Sequence, residues 1–163
     1  MAFSGPPLPI TPINTFTTGE QTHSSIAGLA GGGYVVTWTS AAQDGSSGGI
    51  YAQIFDANGA AVGVELLINT TTALNQDFAE VAALTGGGYV IALNSEGQDG
   101  SFTGVYLQQF DAAGVAVGGE VTVATMAVNH SPLLAHLTEL ASGRIGVTWS
   151  DMFGATLSDD PYF

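Results

Sequence analysis

Cysteine and lysine are both absent from the 163 residues, and Arg144 is the one strongly basic side chain against 14 acids. Without cysteine the chain has no disulfide framework, no thiolate zinc site and no cysteine nucleophile. The net charge of −13 leaves no basic footprint for displacing counterions from nucleic acid, so DNA and RNA are excluded as partners. Anionic membrane surfaces are disfavoured for the same reason, and cations are favoured in a general way.

Long hydrophobic runs are also absent. No stretch approaches the 18 apolar residues of a membrane-spanning helix, so membrane insertion is not expected. The segment Met1–Pro7 has neither the basic nor the apolar region of a Sec signal peptide. What the chain does have is 45% hydrophobic residues and 23 glycines, which suits a packed core with many tight turns.

An internal repeat of 55 residues organises the sequence. Three segments of the first copy recur in the second without a gap: Gly31–Val35 as Gly86–Val90, Gln43–Ser46 as Gln98–Ser101, and Phe55–Ala57 as Phe110–Ala112. Val147-Thr148-Trp149 matches Val36-Thr37-Trp38 in a third, partial copy. The repeat predicts a terminal strand completing a blade in residues 1–20, repeats over 21–75 and 76–129, and a partial repeat over 130–163.

Each repeat predicts four short strands, separated by turn signals. In the first repeat these are Ser25–Leu29, Tyr34–Thr39, Ile50–Phe55 and Glu65–Asn69. The strands are apolar on both faces, which favours sheets stacked against one another over a sheet with one wet face. The predicted fold class is all-β, with repeated four-stranded antiparallel blades in a propeller-like arrangement. The ring is either incomplete or built from several copies, and a β-trefoil is the alternative.

The quoted motifs carry a family resemblance. Gly31–Trp38, Gln43–Ser46 and Gly49–Gly59 resemble the tandem repeats of large secreted bacterial proteins of the calcium-binding, RTX-adhesin type. The resemblance covers nearly the whole chain. It implies propeller-like repeats, a secreted or cell-surface location reached by type I export, and no defined activity. The glycine-rich calcium nonapeptide of RTX tails is not present in the sequence.

Oxygen ligands for calcium are the first candidate chemistry. Asp44 and Asp99 recur before glycine in the loop between the second and third strands, and Glu96 precedes Asp99 by three residues. Calcium takes six to eight oxygen ligands, and a polar loop with carboxylates can supply some of them. The alternative is that each aspartate caps its own turn by accepting backbone N–H groups two residues on.

Repeated aromatic side chains are the second candidate. Trp38, Tyr51 and Tyr106 predict a carbohydrate platform, because aromatic faces stack on sugar rings. The alternative is that these rings fill the space between neighbouring sheets. Leu93 replaces Trp38 in the second repeat, which favours packing over a preserved sugar platform.

Familiar catalytic motifs are not found. The sequence has no GxSxG elbow, no P-loop and no HExxH zinc motif, and the three histidines do not recur with the repeat. The expectation is a secreted, non-catalytic structural or adhesive module that self-assembles through open blade edges, and not an enzyme. A carbohydrate-binding propeller lectin and a calcium-binding module are the alternatives. The expected partners are further copies or neighbouring repeats and glycans, with calcium as the candidate cofactor.

Overall fold

The computed structural model describes residues 12–100, 102–125 and 130–153, and this part of the chain folds as ten β-strands. The strands are β1 Gln21–Gly28, β2 Tyr34–Ala41, β3 Gly48–Phe55, β4 Ala61–Leu67, β5 Gln76–Ala83, β6 Tyr89–Glu96, β7 Thr103–Phe110, β8 Ala116–Thr125, β9 His130–Glu139 and β10 Ile145–Phe153. No helix in the described ranges is long and apolar enough to cross a membrane.

The strands form three antiparallel sheets in chain order. The first sheet has the order β1-β2-β3-β4, the second has β5-β6-β7-β8, and the third pairs β9 with β10. Each four-stranded sheet is a simple meander, as expected when short turns join neighbouring antiparallel strands. The prediction of an all-β fold of four-stranded antiparallel units is thereby confirmed.

Tight turns at matching positions close the hairpins. The Gly32 N–H donates to the Leu29 carbonyl at 2.9 Å, and the Gly87 N–H donates to the Leu84 carbonyl at the same distance. Gly32 and Gly87 adopt positive φ angles of 86° and 94°, which glycine reaches without a steric cost. Asp56 closes the next turn by accepting the N–H groups of Asn58 and Ala60 at 2.9 and 2.8 Å.

The first strand of each sheet contains a bulge. The register between β1 and β2 shifts between Thr22 and Ser25, and that between β5 and β6 shifts at the same place in the repeat. His23 and Phe78 occupy the two bulges, with φ angles of 50° and 53°. Such bulges re-aim a side chain. The bulges also break the alternation of apolar and polar residues along the strand. The sequence pattern therefore missed the first four residues of β1, which begins at Gln21 and not at the predicted Ser25.

The fourth strand also differs from its prediction. It runs from Ala61 to Leu67 and not from Glu65 to Asn69. Gly63, at φ 74°, lies where the register of β3 with β4 shifts, so the sequence pattern around it is irregular. Of residues 1–20, where a terminal strand was predicted, 1–11 lie outside the described residues, as do 101, 126–129 and 154–163, and residues 12–20 form no strand.

Consecutive sheets pack face to face. Val35, Ile50, Ala52 and Ile54 of the first sheet join one buried cluster with aromatic and aliphatic residues of the second. The second-sheet members include Tyr89, Ile91, Leu93, Tyr106 and Phe110. The other face of the second sheet, at Ala92 and Val105, packs against Leu137 and Val147 of the third. The strands β1, β5 and β9 lie side by side along one edge of this stack.

A hydrogen-bond cluster that occurs in both four-stranded units ties the segment before the sheet to that sheet. The Glu65 carboxylate accepts hydrogen bonds from Thr15 and, at 2.8 Å, from Gln43 Nε2. Glu120 accepts the same two bonds from Thr70 and Gln98 in the next unit. Burial of the Glu65 carboxyl raises its pKa, but the hydrogen bonds that it accepts have the larger combined effect, so the pKa is lowered.

The close approach of Gly88 to the neighbouring strand can be tested by mutation. A β-carbon on Gly88 would lie 2.2 Å from the Phe110 carbonyl oxygen, and its φ is 81°. We expect Gly88→Ala to destabilise the protein by about 3 kcal/mol through overlap with backbone and left-handed strain. Gly86→Ala is the matched control, because a β-carbon there meets nothing within 4 Å. Urea unfolding of both variants checks this, and equal losses of stability would contradict it.

Candidate functional site

A cleft opens between the first and second sheets, beside the first residues of β1 and β5. Its volume is about 260 Å³. Two carboxylates, an imidazole, an amide and hydroxyl groups lie in its lining, which is formed by Glu20, Thr22, His23, Thr39, Ala41, Ser47, Gly48, Asn75 and Asp77. A concave site with a few convergent polar groups is the usual form of a small-molecule site.

Gly48 allows the two sheets to meet at this cleft. A β-carbon on Gly48 would lie 2.5 Å from Asn75 Oδ1 and 3.1 Å from the Gln76 carbonyl oxygen. The missing side chain lets Asn75 form a parallel bridge with Gly48 across the gap between the sheets. Asn75 Nδ2 in turn donates to Asp77 Oδ2 at 2.9 Å, so the close approach also positions the Asp77 carboxylate.

Asp77 is the carboxyl group that the cleft perturbs most clearly. Burial raises its pKa above the ordinary value, and the nearby negative charge of Glu96 raises it further. The hydrogen bond from Asn75 and the charge of His23 act in the opposite direction but do not cancel the effect of burial. A carboxyl with a raised pKa in a cleft is the usual state of a general acid.

His23 and Phe78 place two rings beside this carboxyl. Their centroids are 4.0 Å apart, with an angle of 44° between the ring planes. Because the two residues occupy equivalent bulges of β1 and β5, the backbone directs both side chains to the same place between the sheets. His23 of this pair lines the cleft, so one aromatic ring lies there beside hydrogen-bonding groups.

The predicted calcium ligands do not gather in one place in the described residues, where no group of three or more His, Asp or Glu side chains has metal-binding geometry. Asp44 Oδ1 accepts the Ser46 N–H at 3.0 Å, the geometry of a capped turn. Asp99 belongs to the second sheet's loop and raises the pKa of the Tyr106 hydroxyl. Glu96 lies close enough to Asp77 to raise its pKa. Calcium binding stays a prediction.

The three rings of the predicted aromatic platform are buried. Trp38 and Tyr51 are paired across β2 and β3, with exposures of 4% and 7%, and Tyr106 is 2% exposed. None of the three lines the cleft between β1 and β5. Burial is the main cause of the raised pKa of the Tyr51 and Tyr106 hydroxyls.

Sequence reasoning missed the cleft because it followed what the repeats share. The cleft residues lie where the repeats differ: His23 corresponds to Phe78, Thr22 to Asp77, and Glu20 to Asn75. A difference in chemical type at an equivalent position was the available signal. The meeting of these positions across the gap could not be anticipated, because it depends on the bulges and on how the sheets stack.

Comparison with known proteins finds a similar fold but no related sequence. No family model matches the chain, and no curated protein matches it. One similar solved structure is the endo-arabinase from Bacteroides thetaiotaomicron VPI-5482, with a TM-score of 0.56 and 16% identity. The match covers 96% of this chain but only 63% of that one. That protein is a β-propeller-type enzyme. The resemblance to RTX-adhesin repeats and the secreted location stay predictions.

The expectation that the protein is not an enzyme is contradicted by this similarity. The likeness shows the fold alone, but it is a fold on which an enzyme is built. The expectation depended on missing linear motifs, and carboxylate chemistry needs none, because two carboxyl groups in a cleft can come from separate strands. The comparisons likewise give no support to an adhesive role.

Asp77 makes the stability depend on pH in a defined direction. Its pKa is raised in the folded state, so its contribution to stability is present at acid pH and is lost as pH rises through the folded pKa. We expect Asp77→Asn to be more stable than wild type at pH 7, with the difference disappearing near pH 3. Thermal melts between pH 3 and pH 8 measure this.

Asp56→Asn is the control, because its effect on stability should depend on pH in the opposite direction. Hydrogen bonds from the turn backbone lower the pKa of Asp56, so replacing it reduces stability at pH 7 and has no effect at low pH. Parallel pH profiles for the two variants would contradict the assignment of a raised pKa to Asp77.

Proposed function

We propose that this protein binds carbohydrate in the cleft between β1 and β5. The observation that carries the proposal is that the His23 ring lies with carboxylate, amide and hydroxyl groups in one cleft of about 260 Å³. The similar fold of an endo-arabinase supports a saccharide as the ligand, because that enzyme's name denotes a glycosidase that acts on a carbohydrate.

The chemistry of the cleft suits a neutral sugar. Sugar hydroxyls donate to the carboxylates of Asp77 and Glu20 and can accept from the amide of Asn75. The ring of His23 offers a flat surface for the C–H face of a sugar. A net charge of −13 disfavours uronic acid polymers and sulfated glycans. The volume lies a little below the range of about 300–1,000 Å³ for drug-sized ligands, which suits a short oligosaccharide end.

Hydrolysis of the bound glycoside is the second candidate function, and the raised pKa of Asp77 favours it. Glycosidases pair a protonated carboxyl that donates to the leaving oxygen with a second carboxylate that acts as base or nucleophile. Asp77 fits the proton donor, and Glu20, in the same lining, fits the second carboxylate.

Binding is tested by titrating the protein with arabino-oligosaccharides and a panel of neutral oligosaccharides, followed by amide NMR and calorimetry. We expect chemical-shift changes centred on Thr22, His23, Gly48 and Asp77. We expect Asp77→Asn to weaken binding about tenfold, the loss of one hydrogen bond to a charged group. Asp111→Asn, in an exposed turn of the second sheet, is the control and should bind as wild type does.

Measuring the release of reducing ends from the same sugars distinguishes carbohydrate binding from glycoside hydrolysis. Binding without release supports a carbohydrate-binding protein. Hydrolysis is supported if reducing ends are released, if Asp77→Asn abolishes this release, and if the activity is lost as pH rises and the Asp77 carboxyl loses its proton. The proposal is wrong if no sugar of the panel shifts the cleft resonances at millimolar concentration.

A further inference from the structure

The turn between β3 and β4 contains a chemically reactive pair, Asn58 and Gly59. Asn58 is the one asparagine in the sequence that is followed by glycine. In such a pair the backbone nitrogen of the glycine can reach the side-chain carbonyl carbon of the asparagine, because glycine has no side chain to block the approach. Both residues are exposed, so water reaches them. A β-carbon on Gly59 would lie 3.7 Å from the Tyr34 hydroxyl, an ordinary contact, so the turn is not crowded there.

Asp56 holds both reacting groups while the turn is closed. The Gly59 N–H donates to the Asp56 carbonyl at 3.0 Å. The Asp56 carboxylate accepts the Asn58 N–H at 2.9 Å and also accepts the Asn58 side-chain amide. The attacking nitrogen and the amide under attack are therefore tied to one residue. The two groups react when the turn opens locally, an event that exposed turns undergo more often than buried strands do.

The second repeat has the same turn without the asparagine. Ala113 stands at the position of Asn58, and its N–H donates to Asp111 Oδ1 at 2.9 Å. Gly114 donates to the Asp111 carbonyl at 3.1 Å and has a φ of 85°, against 81° for Gly59. The turn therefore forms equally well without an amide side chain, and the asparagine is an additional feature of the first repeat.

We propose that Asn58 is a site of self-modification, at which the amide becomes a carboxylate at a rate controlled by Asp56. A base in solution takes the proton from the Gly59 backbone nitrogen, which then forms a bond to Asn58 Cγ. The bond from Cγ to Nδ2 breaks, and Nδ2 leaves as ammonia with a proton taken from water.

Water then opens the cyclic imide that this step forms. Cleavage of the bond from the nitrogen to Cγ gives aspartate, and cleavage of the bond from the nitrogen to the backbone carbonyl carbon gives isoaspartate. Overall, one water is consumed and one ammonia is released, and nothing is oxidised or reduced.

The product changes the forces within the turn. A carboxylate at position 58 no longer donates to Asp56 and repels it instead. In isoaspartate the main chain runs through Cβ and Cγ, which moves the Gly59 N–H away from the Asp56 carbonyl. Both changes loosen the hairpin that leads into β4, where Glu65 accepts hydrogen bonds from Thr15 and Gln43. No residue of this turn lines the carbohydrate cleft, so the inference is independent of the proposed function.

Incubation of the 163-residue chain at pH 6 and pH 8, followed by ion-exchange chromatography and mass spectrometry, tests the proposal. We expect a more acidic form to accumulate, and to do so faster at pH 8, because base removes the proton from the attacking nitrogen. The peptide released by cleavage after Glu20 and Glu65 contains Asn58 and should gain the mass of exchanging NH₂ for OH. Isomerisation at Asp44, which also precedes glycine, changes neither charge nor mass and is thereby distinguished.

Three variants test the role of each group. Asn58→Ala should lose the modification and keep its fold, because Ala113 occupies the equivalent turn. Asp56→Ala should raise the rate about tenfold, because the turn loses a charged acceptor and opens more often. Asp111→Ala is the matched control, since it removes the same acceptor from the second turn and should leave the rate at Asn58 unchanged. Circular dichroism confirms that each variant is folded.

Three outcomes overturn the proposal. The first is a folded wild type that gains no acidic form, and the same chain unfolded in urea shows whether the closed turn is the cause. The second is an acidic form that accumulates equally in Asn58→Ala, which places the reaction at another residue. The third is equal acceleration by Asp56→Ala and Asp111→Ala, which makes overall stability, and not Asp56, the control of the rate.

Discussion

The packing of one sheet on the next is the interaction on which the rest of the structure depends. The second sheet has two buried faces, one covered by the first sheet and the other by the third. A unit of this kind is stable only when it is stacked, as in other repeat proteins. The linker cluster at Glu65 and Glu120 fixes the spacing of the stack, and the hydrogen bond from the Val81 N–H to Ser25 Oγ, at 3.3 Å, joins β1 to β5.

The repeat predicted the fold better than it predicted the site. Hairpin turns such as that at Gly32 could be anticipated, since glycine runs recur where positive φ is needed. The strand starts could not, because the bulges at His23 and Phe78 and the shift beside Gly63 break the period of two. The Asp77 cleft was missed because its residues belong to different sheets, and only three-dimensional stacking brings Asn75 against Gly48.

Shared and differing positions have separate roles in this chain. Residues that recur, such as Asp56 and Asp111, hold turns by accepting backbone N–H groups. Residues that differ between units line the cleft, as the pairs Thr22 with Asp77 and Glu20 with Asn75 do. A scaffold of repeated units can therefore host an asymmetric site, because each unit contributes a different side chain at the same backbone position.

The two bulges have a consequence for how such a site changes over evolution. At His23 and Phe78 the direction of the side chain is set by a left-handed backbone angle and not by the identity of the residue. Holding a non-glycine residue there costs about 1–3 kcal/mol, which the surrounding sheet sustains in both units. Each bulge thus holds its side chain in a fixed orientation, and under the proposed sugar-binding function we expect an exchange of the residue to change ligand selectivity without changing the scaffold.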